Sequence, residues 1–89
     1  MRFQDTKDFR KSLTKLPAHV QLQIIAVLEN IEQATSFADI AHMKSLKGHR
    51  SYYRIQVNAY RMGLYWDGEK FLIESIDTRG DFYKTYPPK

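Results

Sequence analysis

From His49 to Tyr65 the chain reads HRSYYRIQVNAYRMGLY, and apolar residues alternate there with cationic or polar ones at the period of a β-strand. Tyr53, Ile55 and Val57 fall on one side, and Tyr52, Arg54 and Gln56 on the other. Past Asn58-Ala59 the alternation resumes, with Tyr60, Met62, Leu64 and Trp66 on one face and Arg61, Gly63 and Tyr65 on the other. The pattern predicts two strands joined by a tight turn, with Asn58 at positive φ, which Asn tolerates better than most residues. If the apolar rows share the buried side, Arg54 and Arg61 project from one exposed face of neighbouring strands.

Before this hairpin the period is that of a helix. Met1 to Asp5 fits a short edge strand, after which Asp5 or Thr6 can cap a helix carrying Phe9, Leu13 and Leu16 and ending near Leu16. Pro17 suits the first position of a second helix, whose stripe of Val20, Ile24, Val27, Leu28 and Ile31 runs to about Ala34. The two predict an antiparallel helical hairpin over a sheet. Ser36 to Gly48 reads as an irregular crossing plugged by Phe37, Ile40, Met43 and Leu46, with one helical turn capped by Ser36 and a sharp bend at Gly48. Asp67-Gly68 signals a second hairpin, leading into FLIESIDT (Phe71 to Thr78), which carries bulk on both faces and reads as the central strand. Arg79-Gly80-Asp81 turns the chain, and Phe82 to Tyr86 is expected as a last short strand before Pro87-Pro88. The expected fold is α+β: one domain over residues 1–89, two N-terminal antiparallel helices packed on a small twisted, mainly antiparallel β-sheet.

At 89 residues there is room for one modest core and no large buried cofactor. The absence of cysteine removes disulfides, thiolate metal sites and a Cys nucleophile, and fits a reducing interior. No apolar run approaches the roughly 18 residues of a membrane span, and the N-terminus lacks the apolar stretch of a secretion signal, so a cytoplasmic protein with no membrane partner is expected. His19 has no partner at metal-binding spacing and reads as a surface residue. The net charge is +4, but its distribution says more. Between His42 and Tyr65 stand Lys44, Lys47, Arg50, Arg54 and Arg61 without one Asp or Glu. Such a one-signed surface favours nucleic acid or an acidic protein over the plainer reading of a solvated basic face.

With strand, helical hairpin and meander in that order, and with LKGHRSYYRIQVNAYRMGLY followed by SIDTRGDFY, the chain resembles the RelE/ParE superfamily of bacterial toxins over essentially its whole length. The most specific parts are Leu46-Lys47-Gly48, Tyr53-Arg54-Ile55, Tyr60-Arg61, and Arg79 with Tyr83. The resemblance implies a toxin that sits beside a cognate antitoxin, acidic and partly disordered until bound. Its RelE branch cuts messenger RNA on the ribosome without metal or other cofactor; its ParE branch inhibits DNA gyrase and is not a nuclease. Carried over by position, Arg54 matches a basic strand residue facing RNA, Arg61 a phosphate-binding arginine, Arg79 a second arginine and Tyr83 a C-terminal aromatic. One position departs: RelE-like enzymes often carry a second basic residue, assigned to proton abstraction, where this chain has Gln56, and a neutral amide cannot act as general base.

Metal-free RNA cleavage needs a base for the attacking 2′-OH, cations for the charge developing on the phosphoryl oxygens, and an acid for the leaving 5′ oxygen. A planar, permanently charged guanidinium suits the middle role, assigned here first to Arg61 and then to Arg54. Arg79 can grip a phosphate or stack on a base, and Tyr83 can stack, donate a proton or simply pack. His49 is the first candidate for the base and His42 the second, although His49 also reads as a plain loop residue. Lys44, Lys47, Arg50 and Gln56 are expected to line the RNA path. Tyr52, Tyr65 and Tyr86 can stack on bases or pack on one another.

Overall fold

A computed structural model describes residues 1–88. Strand β1 (Phe3–Asp5) is followed by helices α1 (Lys7–Leu13) and α2 (Ala18–Gln33), a single 3-10 turn at Phe37–Asp39, strands β2 (Met43–Ser45), β3 (Tyr52–Val57), β4 (Tyr60–Trp66) and β5 (Phe71–Thr78), and helix α3 (Arg79–Thr85). The strands form one sheet in the order β1-β5-β4-β3-β2. Every pairing is antiparallel except β1 with β5. The fold is therefore α+β with a mixed five-stranded sheet.

The apolar rows of the hairpin do share a side. Ile55, Val57, Met62 and Leu64 are buried together with Phe71, Ile73 and Ile76 of β5, and Phe9, Val20, Ile24 and Ile31 of α1 and α2 close over them. Burying each such side chain stabilises the fold by about 1.5–3 kcal/mol, so this face supplies most of the cohesion. Helix α1 starts where Thr6 Oγ1 accepts from the Phe9 N–H at 3.3 Å. The same hydroxyl donates to the Ile73 carbonyl at 2.9 Å, which ties the cap to β5. At the far end of α2 the Met1 amine donates to the carbonyls of Ile31, Glu32 and Ala34, where the helix runs out of its own donors.

Several boundaries depart from expectation. Helix α1 ends at Leu13 rather than Leu16, and Pro17 sits at the cap of α2, one residue before its first turn. Ser36 precedes the 3-10 turn without a side-chain cap bond. Met43–Ser45, expected inside an irregular crossing, is edge strand β2 on β3. Strand β5 is interior, but the middle place in the sheet belongs to β4. Asn58 does take positive φ, 58°, at the β3–β4 turn.

The largest correction lies at the C-terminus, where the expected strand is helix α3. Phe82 and Tyr86 are four apart, a spacing that puts two residues on one side of a strand and of a helix alike, so the pattern did not distinguish the two. Both residues bury against the sheet face opposite the core. Gly63 makes room there: a Cβ on it would lie 2.6 Å from a Tyr86 ring carbon. The β4–β5 register slips between Gly63 and Leu64, pairing Gly63 with Ser75 and Leu64 with Ile73 and leaving Glu74 over as a bulge. Glu74 then accepts a hydrogen bond from the Tyr86 hydroxyl at 2.9 Å.

Candidate nucleic-acid interface

Cross-strand register fixes which side chains share the second face. Lys44 of β2 pairs with Arg54 of β3, Arg54 with Gly63 of β4, and Gly63 with Ser75 of β5. In the next row Gln56 pairs with Arg61, and Arg61 with Asp77. Arg54 and Arg61 therefore do lie on one side of the sheet, diagonal to each other. Among the described residues the ion pairs are Arg10 with Asp5, Lys70 with Asp67 and Lys84 with Asp81, so neither arginine is neutralised by a carboxylate.

Their exposure differs from expectation. Arg54 is half-buried, whereas Arg61 is only 8% exposed. The cause is α3. Its Arg79 N–H donates to the Ala59 carbonyl at 3.3 Å, beside the β3–β4 turn, and its far end rests on Gly63 through the Tyr86 ring. Arg61 falls between these two anchors. Its Nη1 donates only to the Tyr60 carbonyl, at 3.4 Å, and its buried Nε has no partner. A desolvated guanidinium with so few acceptors is costly, and an anion is what it lacks.

Helix α3 also places the two C-terminal candidates. Arg79 and Tyr83, four apart, lie on one side of it. Both are exposed, Tyr83 by 50%, with its ring edge-on to Phe82 at 4.9 Å. Tyr52 packs on the other two tyrosines of this face, lying 4.8 Å from Tyr65 and 5.7 Å from Tyr86, centroid to centroid. Burial, and secondarily the bond to Glu74, pushes the Tyr86 phenol well above its ordinary value. Burial, then the charge of Glu74, also raises the Tyr52 phenol. Both remain protonated at neutral pH.

Lys47, His49 and Arg50 are exposed on the β2–β3 connection, where the His49 N–H donates to the Leu46 carbonyl and its own carbonyl accepts from the Tyr52 N–H. That connection adjoins Tyr52, about 13 Å of strand away from Gln56. His42 stands at the other end. With Gln56 and Asn58 it lines an open concavity of about 390 Å³. A second concavity, of about 430 Å³ and including Asp8, Glu74, Asp77 and Tyr86, carries carboxylates that repel a polyanion. Among the described residues no group of three or more His, Asp or Glu is placed to hold a metal ion, and no helix is long and apolar enough to cross a membrane.

No protein-family model matches the chain. It is 30% identical over 88 residues to Toxin RelE3 of Methanocaldococcus jannaschii, a match covering 98% of this chain and 100% of that protein. The RelB-RelE antitoxin-toxin complex from Methanococcus jannaschii contains a chain of the same fold, with a TM-score of 0.79, 28% identity, and coverage of 98% of this chain and 100% of that one. The archaeal RelE-RelB complex of Pyrococcus horikoshii OT3 superposes at 0.71 with 20% identity over 89% and 94% of the two chains. The isolated E. coli RelE toxin does so at 0.66 with 20% identity over 93% and 90%. These last two speak to the fold alone. This fold, a small mixed sheet backed by helices, thus recurs in these structures. The chain belongs to the RelE/ParE superfamily.

Proposed function

We propose that this chain is the toxin of a type II toxin-antitoxin pair and acts in the cytoplasm as a ribosome-dependent, metal-independent mRNA endoribonuclease that inhibits translation. The observation that carries the reading is the cationic row of Lys44 and Arg54, flanked by Arg61, with neither arginine in an ion pair among the described residues although Asp77 stands opposite Arg61 in register. In this reading α1 and α2 form an antiparallel hairpin that braces the sheet from behind. Lys44, Arg54 and the exposed Arg79 hold the RNA backbone, with Lys47 and Arg50 extending the path. Arg61 supplies the buried donors that a phosphoryl oxygen satisfies once α3 gives way, a contact worth most in the transition state because the site is dry. Tyr83, exposed beside Arg79, stacks on a base or protonates the leaving oxygen. The named complexes of RelE with RelB support a cognate antitoxin as partner, an acidic segment that orders on binding.

The test is cleavage of a ribosome-programmed message by wild type and by Arg61→Ala. Cut products that vanish in the variant support the reading. A second reading follows from Gln56, a neutral amide where RelE-like enzymes often carry a basic residue: the same fold blocks its target by contact alone, as a ParE-like inhibitor of DNA gyrase. Uncut message beside inhibited gyrase supercoiling would establish it.

A further inference from the structure

We propose that His42 is the general base of this nuclease, the group that takes the proton from the attacking 2′-OH. The inference rests on the nuclease reading above and fills the role that Gln56 leaves vacant. The β2–β3 register pairs Met43 with Ile55 and Lys44 with Arg54, so His42, the residue before β2, comes to the end of β3 that carries Gln56, and the two line one concavity. Gln56 in turn pairs with Arg61. His42, Gln56 and Asn58 share the wall of one concavity, open to solvent and large enough for a ribose. Asn58 is fixed there by its own positive φ and by donating to Gln23 Oε1 at 3.2 Å.

The other two histidines are elsewhere: His49 at the opposite end of β3, and His19 at the start of α2. Neighbouring strands lie about 4.8 Å apart, so the His42 and Arg61 backbones are separated by about 10 Å across β3, and the covered Arg61 guanidinium opens onto that span once α3 gives way. His42 has φ of 62°, a left-handed conformation uncommon for a residue other than glycine, and the turn into β2 sets it. Charged groups on the adjoining elements are Lys44 on β2, Arg54 on β3, Arg61 on β4, Asp39 on the 3-10 turn, and Glu29 and Glu32 on α2, whose Asn30 accepts from the Ala41 N–H at 3.0 Å.

In the step so assigned, a neutral imidazole nitrogen of His42 accepts the 2′-OH proton as O2′ bonds to phosphorus. Arg54, and Arg61 once α3 has given way, meet the charge on the phosphoryl oxygens. The P–O5′ bond breaks, and O5′ takes a proton from the Tyr83 hydroxyl, which recovers one from solvent while the imidazolium releases its own. The products are a 2′,3′-cyclic phosphate and a 5′-hydroxyl end, with no co-reactant consumed.

The experiment is single-turnover cleavage of a programmed ribosome from pH 5 to 9 with wild type, His42→Ala and His42→Asn, the last because Asn tolerates the left-handed backbone but offers no basic nitrogen. Affinity for a short single-stranded RNA is followed in parallel by fluorescence anisotropy. Expected are a loss of about 10²- to 10⁴-fold in rate at neutral pH for both variants, disappearance of the acid limb of the profile, and partial rescue of His42→Ala by added imidazole, with affinity unchanged. His19→Ala should behave as wild type. A variant that keeps the wild-type pH profile, or one whose rate falls only in step with its RNA affinity, overturns the assignment while leaving the nuclease reading intact. A wild-type protein that cuts no message overturns both.

Discussion

Arg61 is the residue at which stability and activity pull in opposite directions. Its guanidinium is buried, unpaired and one hydrogen bond short at Nε, so it weakens the fold that holds it. Arg61→Met should therefore raise the melting temperature, by roughly 4–8 °C if about 1 kcal/mol is recovered, while removing about 10²-fold or more of the cleavage rate. Thermal melts beside the ribosome assay check both; a lower melting temperature would show that the buried charge is satisfied after all. Gly63 gives the converse case. Its Cβ would strike the Tyr86 ring at 2.6 Å, so Gly63→Ala must displace the end of α3 and should cost about 1–3 kcal/mol in urea denaturation. Tyr86→Phe keeps the ring and loses only the bond to Glu74, and should cost about 1 kcal/mol.

At the scale of elements, the β4–β5 hairpin depends on Asp67. Its Oδ1 accepts from the backbone N–H of Glu69 and Lys70 at 2.8 and 2.9 Å. The Lys70 and Glu69 amides, then the Lys70 ammonium, lower the carboxyl to about 2. A carboxyl depressed by folding stabilises the fold above its unfolded value near 4, and that contribution is lost as pH falls from about 4 to about 2. Asp67→Ala should thus flatten the decline of melting temperature over that window relative to wild type. The strength of local signals also decided which elements could be read from the chain. The β3–β4 hairpin was legible because six or seven residues alternate cleanly on each side of Asn58-Ala59. The core-facing residues of α2 were legible for the same reason at a different period. Strand β2 was not, since three residues with Lys44 and Ser45 among them have no periodicity to show. Helix α3 was not, since Phe82 and Tyr86 satisfy two periods at once and only the notch at Gly63, distant in sequence, selects the helix.

For the molecule as a whole, the net charge is +4, and Lys44, Arg54 and Arg61 stand on one side of the sheet. If Lys44, Arg54 and Arg79 each meet a phosphate, the logarithm of affinity for single-stranded RNA should fall against that of salt with a slope of about −2, and Lys44→Ala should reduce it by about 0.7. Anisotropy titrations from 50 to 200 mM salt measure both. That Arg54 and Arg61 share a face was readable from parity alone; that α3 covers one of them was not, because cover is a property of tertiary approach. The same holds for His42, whose nearness to Gln56 exists only once β2 has paired. Strand β5 carries one more implication. It is flanked by β1, made at the very start of the chain, and by β4, and both α1 and α3 lean on it. A nascent chain threading out of its own ribosome thus has no sheet for its first residues to join until Phe71–Thr78 has emerged. Until that late moment β1 and α1 lack the strand they pack on, so the two ends of the described fold are joined by the element made near its finish.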